Sequence, residues 1–246
     1  MISIVCVYND QDILNKYLIN SLNNQNSDYE LILVDNSCGR FKSASLALNH
    51  GGKKATQKYI MFIHQDMDLV YENWLYDAEN FLNSLENIGI VGVAGRVENK
   101  GWTITNIEDG ISRTPVSPNS ELNNPMKVQT LDECLIILPK DVFNELNFDE
   151  EVCDDWHLYA VDYSLSILKK GFDVYVLPMR AYHRSHGYSL SKGYYLTLKK
   201  LLKKHKDYDM ILTTMGDWSP NYPLIIQKYY YLFKNKIWTL TRSLFK

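Results

Sequence analysis

The chain opens with an apolar, β-branched run, Ile2 to Tyr8, that stops at the turn-forming pair Asn9-Asp10. An uninterrupted run of this kind, closed by a turn signal, predicts a strand buried on both faces. Leu14, Leu18 and Leu22 then recur at helical spacing before Asn23-Asn24. The alternation repeats. Glu30 to Val34 predicts a second strand ending at Asp35-Asn36-Ser37, and a helix follows from about Ala44 to Thr56. Tyr59 to Ile63 predicts a third strand, ending at His64-Gln65-Asp66-Met67-Asp68. A helix from about Glu72 to Leu85 leads to a fourth strand, Ile88 to Ala94. Strands alternating with helices predict an α/β fold whose central sheet is mostly parallel and covered on both faces.

From Gly95 to Asn124 the pattern breaks: Pro115, Pro118 and several Asn and Ser interrupt any periodicity, which reads as a long functional loop. Order returns with the apolar run Leu135 to Leu138 and a short helix from about Asp141 to Leu146. A helix from about Trp156 to Lys170 stops at Gly171, a common C-terminal signal. A strand, Val174 to Leu177, then precedes the turn Tyr182-His183-Arg184-Ser185-His186-Gly187. Beyond it, Tyr230, Phe233, Ile237, Leu240 and Leu244 share a helical stripe, with Lys228, Lys234, Lys236, Arg242 and Lys246 gathered on the other side. This organisation predicts a body over 1–190, broken near position 95, and a basic, aromatic-rich helical extension over 191–246.

Charge sharpens that division. The net charge of −3 hides 11 Lys and Arg against 3 Asp from Lys192 to Lys246, while the preceding residues hold 15 basic and 26 acidic groups. An acidic body with a basic tail predicts different partners for each. An anionic membrane surface, the protein body or a second subunit would each suit the tail, whereas the body carries no basic patch or motif for nucleic acid. At 46% hydrophobic and 22% charged the chain has the balance of an ordinary globular protein. It lacks the roughly 18–20 consecutive apolar residues of a membrane span. The N-terminus shows no secretory signal pattern, and Cys6, Cys38, Cys134 and Cys153 show no metal-ligand spacing. Reduced cysteines in a cytoplasmic protein, peripheral at most to the inner membrane face, are expected.

The chemistry gathers at strand ends. Ligands of open parallel sheets bind at the carboxyl ends of the strands, and here those ends carry Asn9-Asp10, Asp35, Asp66 and Asp68. Turn preference accounts for Asp10 or Asp35 alone. It accounts less well for Asp66-x-Asp68, whose spacing puts two carboxylates on one side of an extended chain. Clustered carboxylates call for a cation among them, and oxygen ligands suit Mg²⁺ or Mn²⁺ shared with substrate phosphates. No GxGxxG, GxxxxGK[ST] or GxSxG sequence is present, which excludes Rossmann dehydrogenases, P-loop enzymes and serine hydrolases.

The ordered series YND, ELILVDNS, ALNHGG, YIMFIHQDMD, TLDECLIIL, FDEE…WHLYAVDYSLSILKKGFDVYVLP and AYHRSHG resembles the family 2 glycosyltransferases of the GT-A fold. Its HQD and WHLYAVD versions are similar to a bacterial subgroup linked to surface polysaccharides. The resemblance implies a GT-A sandwich with a nucleotide-sugar half over 1–94 and an acceptor half over 95–190, and a donor site of Val7, Tyr8, Asn9, Asp10, Asp35, Asn36, Asn49 and Asp66, with Asp35 reading the pyrimidine. It implies Asp68 on the metal, completed by His183 or His186. It also implies Asp162 as general base, while the residues themselves suggest Trp156 and His157 stacking on an acceptor sugar and Asp132, after the edge pattern TLDE, facing the acceptor. The chain departs from the family pattern at Leu48, Val161 and His64-Gln65, where Arg, Glu and apolar residues are usual.

The expected activity is metal-assisted, inverting transfer of a sugar from a nucleoside diphosphate, a UDP-sugar foremost, to a hydroxyl of a glycan or lipid-linked acceptor. Two other functions share some of the residues: a silent nucleotide-sugar-binding subunit that supports a partner transferase, and a nucleotidyltransferase or phosphoesterase.

Overall fold

The computed structural model describes residues 1–118, 121–185, 190–231 and 233. The first apolar run becomes β1 (Ile2–Tyr8), and Asp10 caps the helical segment after it by accepting from the N–H groups of Asp12 and Ile13. That segment runs through α1 (Gln11–Leu14), a π-helical turn (Asn15–Ile19) and α2 (Asn20–Asn23). There follow β2 (Tyr29–Asp35), α3 (Ala44–Gly52), β3 (Tyr59–Ile63), β4 (Met67–Asp68), α4 (Trp74–Ser84) and β5 (Ile88–Gly92). Next come β6 (Ala94–Arg96), β7 (Ile104–Asp109), β8 (Thr114–Pro115), β9 (Met126–Lys127), β10 (Thr130–Leu131) and β11 (Leu135–Pro139). The chain continues through α5 (Lys140–Glu145), α6 (Tyr159–Lys169), β12 (Asp173–Val176), β13 (Arg180–His183) and α7 (Lys192–Lys204). It reaches β14 (Ile211–Thr213), β15 (Gly216–Trp218) and a helix over 224–231.

The main sheet has the order β2-β1-β3-β11-β5-β12-β9. It is mixed, which corrects the mostly parallel sheet expected from sequence. The pairs β1–β2, β1–β3 and β12–β5 are parallel, but β11 lies antiparallel to both β3 and β5, and β9 antiparallel to β12. Leu135 to Leu138 is buried throughout, and a strand buried on both faces looks the same in sequence whichever way it runs. A second correction concerns 95–124. The chain leaves the main sheet after Gly92 and builds a second one, β10-β6-β7-β13-β4, with β8 on the edge of β7. Its strands are short and interrupted by turns, so no periodicity betrays them.

Ile4, Leu14, Leu18, Met61, Trp74 and Ile137 form the core on one face of the main sheet; Val5, Leu48, Phe62, Phe143, Phe148 and Tyr163 form it on the other. A third cluster packs Leu158, Val161 and Leu165 of α6 and its approach against Tyr194, Leu198 and Leu201 of α7, with Ile211 and Trp218 of the last hairpin. Residues on both sides of position 190 therefore share one core. Charge joins the same elements: Lys200 pairs with Asp154 at 2.5 Å, and Lys204 with Asp149 at 2.8 Å and Asp162 at 2.7 Å. Part of the basic tail is thus matched by the acidic body. Gly171 stops α6 as expected, with φ +87°, but the helix begins at Tyr159 rather than near Trp156. All four cysteines are free thiols. Among the described residues no helix is long and apolar enough to cross a membrane. The expected apolar stripe falls on 230–244, most of which lies outside the described residues.

Candidate active site

The ends of β1, β2 and β3 open into a cavity of about 580 Å³ lined by Val7, Tyr8, Asn9, Asn36, Phe41, Lys42, His64, Gln65, Asp66, Trp156 and Tyr159 among others. Gln65 ties the strand ends together. Its carbonyl accepts from the N–H groups of Asn9 (3.0 Å) and Asp10 (3.1 Å), and its amide donates to Asn9 Oδ1 (2.8 Å). Asp10 and Asp35 are exposed and make local bonds, Asp10 as the helix cap and Asp35 as acceptor from the Ser37 N–H at 2.8 Å. That bond holds the Asp35 carboxyl below its ordinary range. Asn49 is buried and donates to the Phe148 carbonyl (2.9 Å) and Glu150 (2.8 Å), so its amide braces α3 against the loop after α5. Trp156, expected on the acceptor side, lines this first cavity instead.

His64, Asp66 and His183 bring their ligand atoms within 4.8 Å of one another. β4 and β13 produce this meeting, since Met67 lies opposite His183 in an antiparallel pair. His183 Nε2 is 3.3 Å from Asp66 Oδ1 and 2.9 Å from Ser185 Oγ, and the Ser185 N–H donates to Asp66 Oδ2 at 3.3 Å. The Tyr159 hydroxyl donates to the Glu133 carbonyl (2.9 Å) and lies 3.2 Å from His64 Nε2. With that hydroxyl proton already used, His64 is the donor to Tyr159, and its Nδ1 keeps a free lone pair.

The electrostatics agree with this arrangement. Burial, together with the neighbouring His183, pushes His64 down to about 4, so it is a neutral ligand at physiological pH. Burial opposes ionisation of Asp66, yet hydrogen bonding and charge from His183 win and hold it well below the carboxylate range. Burial likewise opposes a charge on His183, but Asp66 outweighs it and raises this imidazole. Two imidazoles and one ionised carboxylate form a donor set for a divalent first-row metal ion.

Asp68 stands apart from this group. It pairs with Arg113 at 3.4 Å, and the Arg113 guanidinium lies 4.0 Å from the centre of the Tyr182 ring. His186 lies outside the described residues. Asp162, marked as the base by family resemblance, is 2% exposed and lines neither large cavity. Its carboxylate is bound by His205 Nε2 (2.8 Å) and Lys204 Nζ (2.7 Å), which makes it an anchor between α6 and α7.

Asp132 occupies a different setting. Its carboxylate accepts from the Cys134 N–H (3.1 Å) and the Thr214 hydroxyl (2.7 Å), and it lines a second, larger cavity of about 1130 Å³. That cavity is shared with His183, Arg96, Trp102, Tyr222, Ile226 and Tyr230. His157 borders a small cavity together with His64, Asp132, Glu133 and His183; its Nε2 lies 3.2 Å from Ser191 Oγ, and burial lowers its pKa. Sequence reasoning passed over His64, Gln65, Tyr159 and Thr214. The one available signal was the polar pair His64-Gln65 where a buried strand should end in apolar residues.

Residues 2–205 match the model of the glycosyltransferase-like family. The chain belongs to that family. No curated protein matches it by sequence. Solved structures of similar fold include GalNAc-T7 with UDP, GalNAc and Mn²⁺ (TM-score 0.58, 16% identity, covering 82% of this chain and 47% of that one). The chain therefore spans about half the length of that protein. Residues 1–349 of S. aureus TarS in complex with UDP-GlcNAc (TM-score 0.55, 16% identity) match over 87% of this chain and 68% of that one. The mannosyltransferase PcManGT from Pyrobaculum calidifontis in complex with GDP-Man and Mn²⁺ (TM-score 0.53, 14% identity) matches over 82% and 63%. These glycosyltransferase neighbours share the α/β fold of the chain.

Proposed function

We propose that this member of the glycosyltransferase-like family transfers a sugar from a nucleoside diphosphate, a UDP-sugar foremost, to a hydroxyl of a glycan or lipid-linked acceptor, with inversion. One observation carries the reading. The His64–Asp66–His183 group stands at the boundary of two cavities: His64 and Asp66 line the smaller, and His183 lines the larger. A donor in the first and an acceptor in the second would meet there.

Tyr8, Asn9 and Asn36 would hold the nucleoside at the strand ends, with Phe41 and Trp156 as apolar walls. His64, Asp66 and His183 would hold the divalent ion; imidazole ligands favour Mn²⁺ over Mg²⁺. When bound, the ion neutralises charge on the departing diphosphate. Asp132 takes the base role in place of Asp162, because it faces the larger cavity while Asp162 is enclosed and bonded to Lys204 and His205. Thr214 and the Cys134 amide orient the Asp132 carboxylate, which leaves lone pairs to accept the proton of the attacking hydroxyl. Attack from the face opposite the diphosphate gives a single displacement and inversion.

The test is release of nucleoside diphosphate from a panel of UDP- and GDP-sugars, with Mn²⁺ or Mg²⁺ and a set of sugar acceptors. Metal-dependent release with product of inverted configuration is expected. Tight nucleotide-sugar binding with no turnover on any acceptor would instead favour a silent binding subunit.

A further inference from the structure

Two separate stretches of chain line the larger cavity and also expose large apolar side chains. Trp102 and Val116 belong to one, and Tyr222, Ile226 and Tyr230 to the other; each is between 41 and 67% exposed. Farther around the helix over 224–231, Ile225 and Tyr229 are exposed outside the cavity, as is Phe233. The helix is nevertheless docked. Tyr231 packs its ring 5.6 Å from Trp218, and Gln227 bonds the Ser219 N–H and carbonyl and the Tyr222 carbonyl, all at 2.8 Å. One face is thus pinned to the body while the other presents aliphatic and tyrosine side chains to solvent. Monomeric proteins rarely leave such a contiguous patch uncovered.

Charge selects the occupant. From Ser219 to Lys246 the sequence contains five Lys and Arg and no Asp or Glu. Lys228 lies in this helix, and the other four follow it in the sequence outside the described residues; a second copy would bring like charges together, whereas anionic headgroups would neutralise them. Tyrosines beside cations suit the boundary between lipid and water, where the ring is buried and the hydroxyl stays hydrated. The cavity itself changes character along its length. Its inner end carries Asp132, Asp109 and His183, and its outer rim carries the aromatic and aliphatic side chains. A ligand with a polar head and an apolar tail matches that order.

We infer that this rim rests on an anionic lipid bilayer, which presents an amphiphilic, lipid-linked acceptor to the larger cavity, the acceptor side of the reaction proposed above. The test is flotation of the full chain with phosphatidylcholine vesicles, with and without phosphatidylglycerol, beside Mn²⁺-dependent UDP binding. Binding to the phosphatidylglycerol vesicles, weakened by salt, is expected. The double variant Ile225→Ser/Tyr229→Ser lies outside both cavities. It should lose vesicle binding by at least about tenfold, given the apolar area removed, while keeping its fold by circular dichroism and its UDP affinity. Equal vesicle binding by the variant, or none by the full chain while UDP still binds, overturns the inference and leaves the donor chemistry standing. A concentration-dependent dimer that the double variant breaks, without vesicle binding, assigns the face to a second copy instead. Vesicle binding without any UDP binding supports the lipid surface and removes the transferase reading.

Discussion

His183 and Asp66 come from opposite sides of an antiparallel pair, and their side chains meet at 3.3 Å between Nε2 and Oδ1. With His64 beside them, the group that could hold a divalent ion consists of two imidazoles and one carboxylate. His183→Ala or Asp66→Asn should weaken Mn²⁺ binding, measured by electron paramagnetic resonance titration, by at least the ~10–100-fold seen when only an outer-shell partner is lost. Asp68→Ala should change it by far less, because Asp68 is held by Arg113. Equal losses in all three variants would put Asp68 back among the ligands.

The roles proposed for Asp132 and Asp162 separate chemistry from stability. Asp132→Asn should lower the transfer rate by ~10²–10⁴-fold with UDP affinity unchanged. Asp162→Asn removes the charged partner of His205 and Lys204 and should cost roughly 1.5–3 kcal/mol of unfolding free energy, with turnover per folded molecule retained. Transfer kinetics and thermal unfolding measured on both variants distinguish the two roles. The reverse result would return the base to α6.

Glu133 sets a pH dependence. It is half-buried, with Oε1 enclosed and unbonded; burial, helped by the charge of Asp132, raises its carboxyl to about 8 against the N–H groups of Leu158 and Tyr159 that favour ionisation. Because its folded pKa lies above its unfolded value, the folded state binds the extra proton. The contribution is intact below the unfolded pKa and is lost as pH rises toward 8. Glu133→Gln should therefore flatten the fall in stability between about pH 4.5 and 8, with its gain over wild type growing as pH rises. Parallel stability–pH curves for the two proteins would refute this.

Gly89 of β5 lies tight against Ile167 of α6. A Cβ there would stand 1.9 Å from Ile167 Cγ2 and 2.8 Å from Phe172 Cβ, both side-chain atoms in a packed core. Gly89→Ala should cost ~1–3 kcal/mol by overpacking, read by urea denaturation. Gly101→Ala, with no atom within 4 Å of the added methyl, serves as the neutral control.

The first three strands and their polar ends were legible because apolar runs closed by Asn and Asp have a direct physical meaning. Val7, Tyr8, Asn9, Asn36 and Asp66 do line one cavity. What stayed hidden depends on distance along the chain. Nothing near Leu135 to Leu138 states the strand's direction, and nothing near His64 announces that His183 will pack with its ring centre 5.6 Å away. Asp162 is marked as the base by its place in the family pattern, and its acidic neighbours point only to a solvated helix residue. Its burial depends on Lys204 and His205, which lie 42 and 43 residues later. The lysines of α7 read as an interaction surface, yet two of them are taken up by the body's own carboxylates.

The Asp132–Thr214 bond spans 82 residues, and Thr130 donates to the carbonyl of Leu212 from the same hairpin. Every residue lining the smaller cavity lies before position 160, whereas the larger cavity takes part of its wall from 210–231, beyond the matched family region. During synthesis the two halves of the site are therefore completed at different times. A chain stopped after α7 would hold all the donor-cavity residues but would leave Asp132 without its hydroxyl partner and the second cavity without that part of its wall. In the proposed reaction, donor capture and group transfer are separable along the chain, and 210–231 is the segment that joins them.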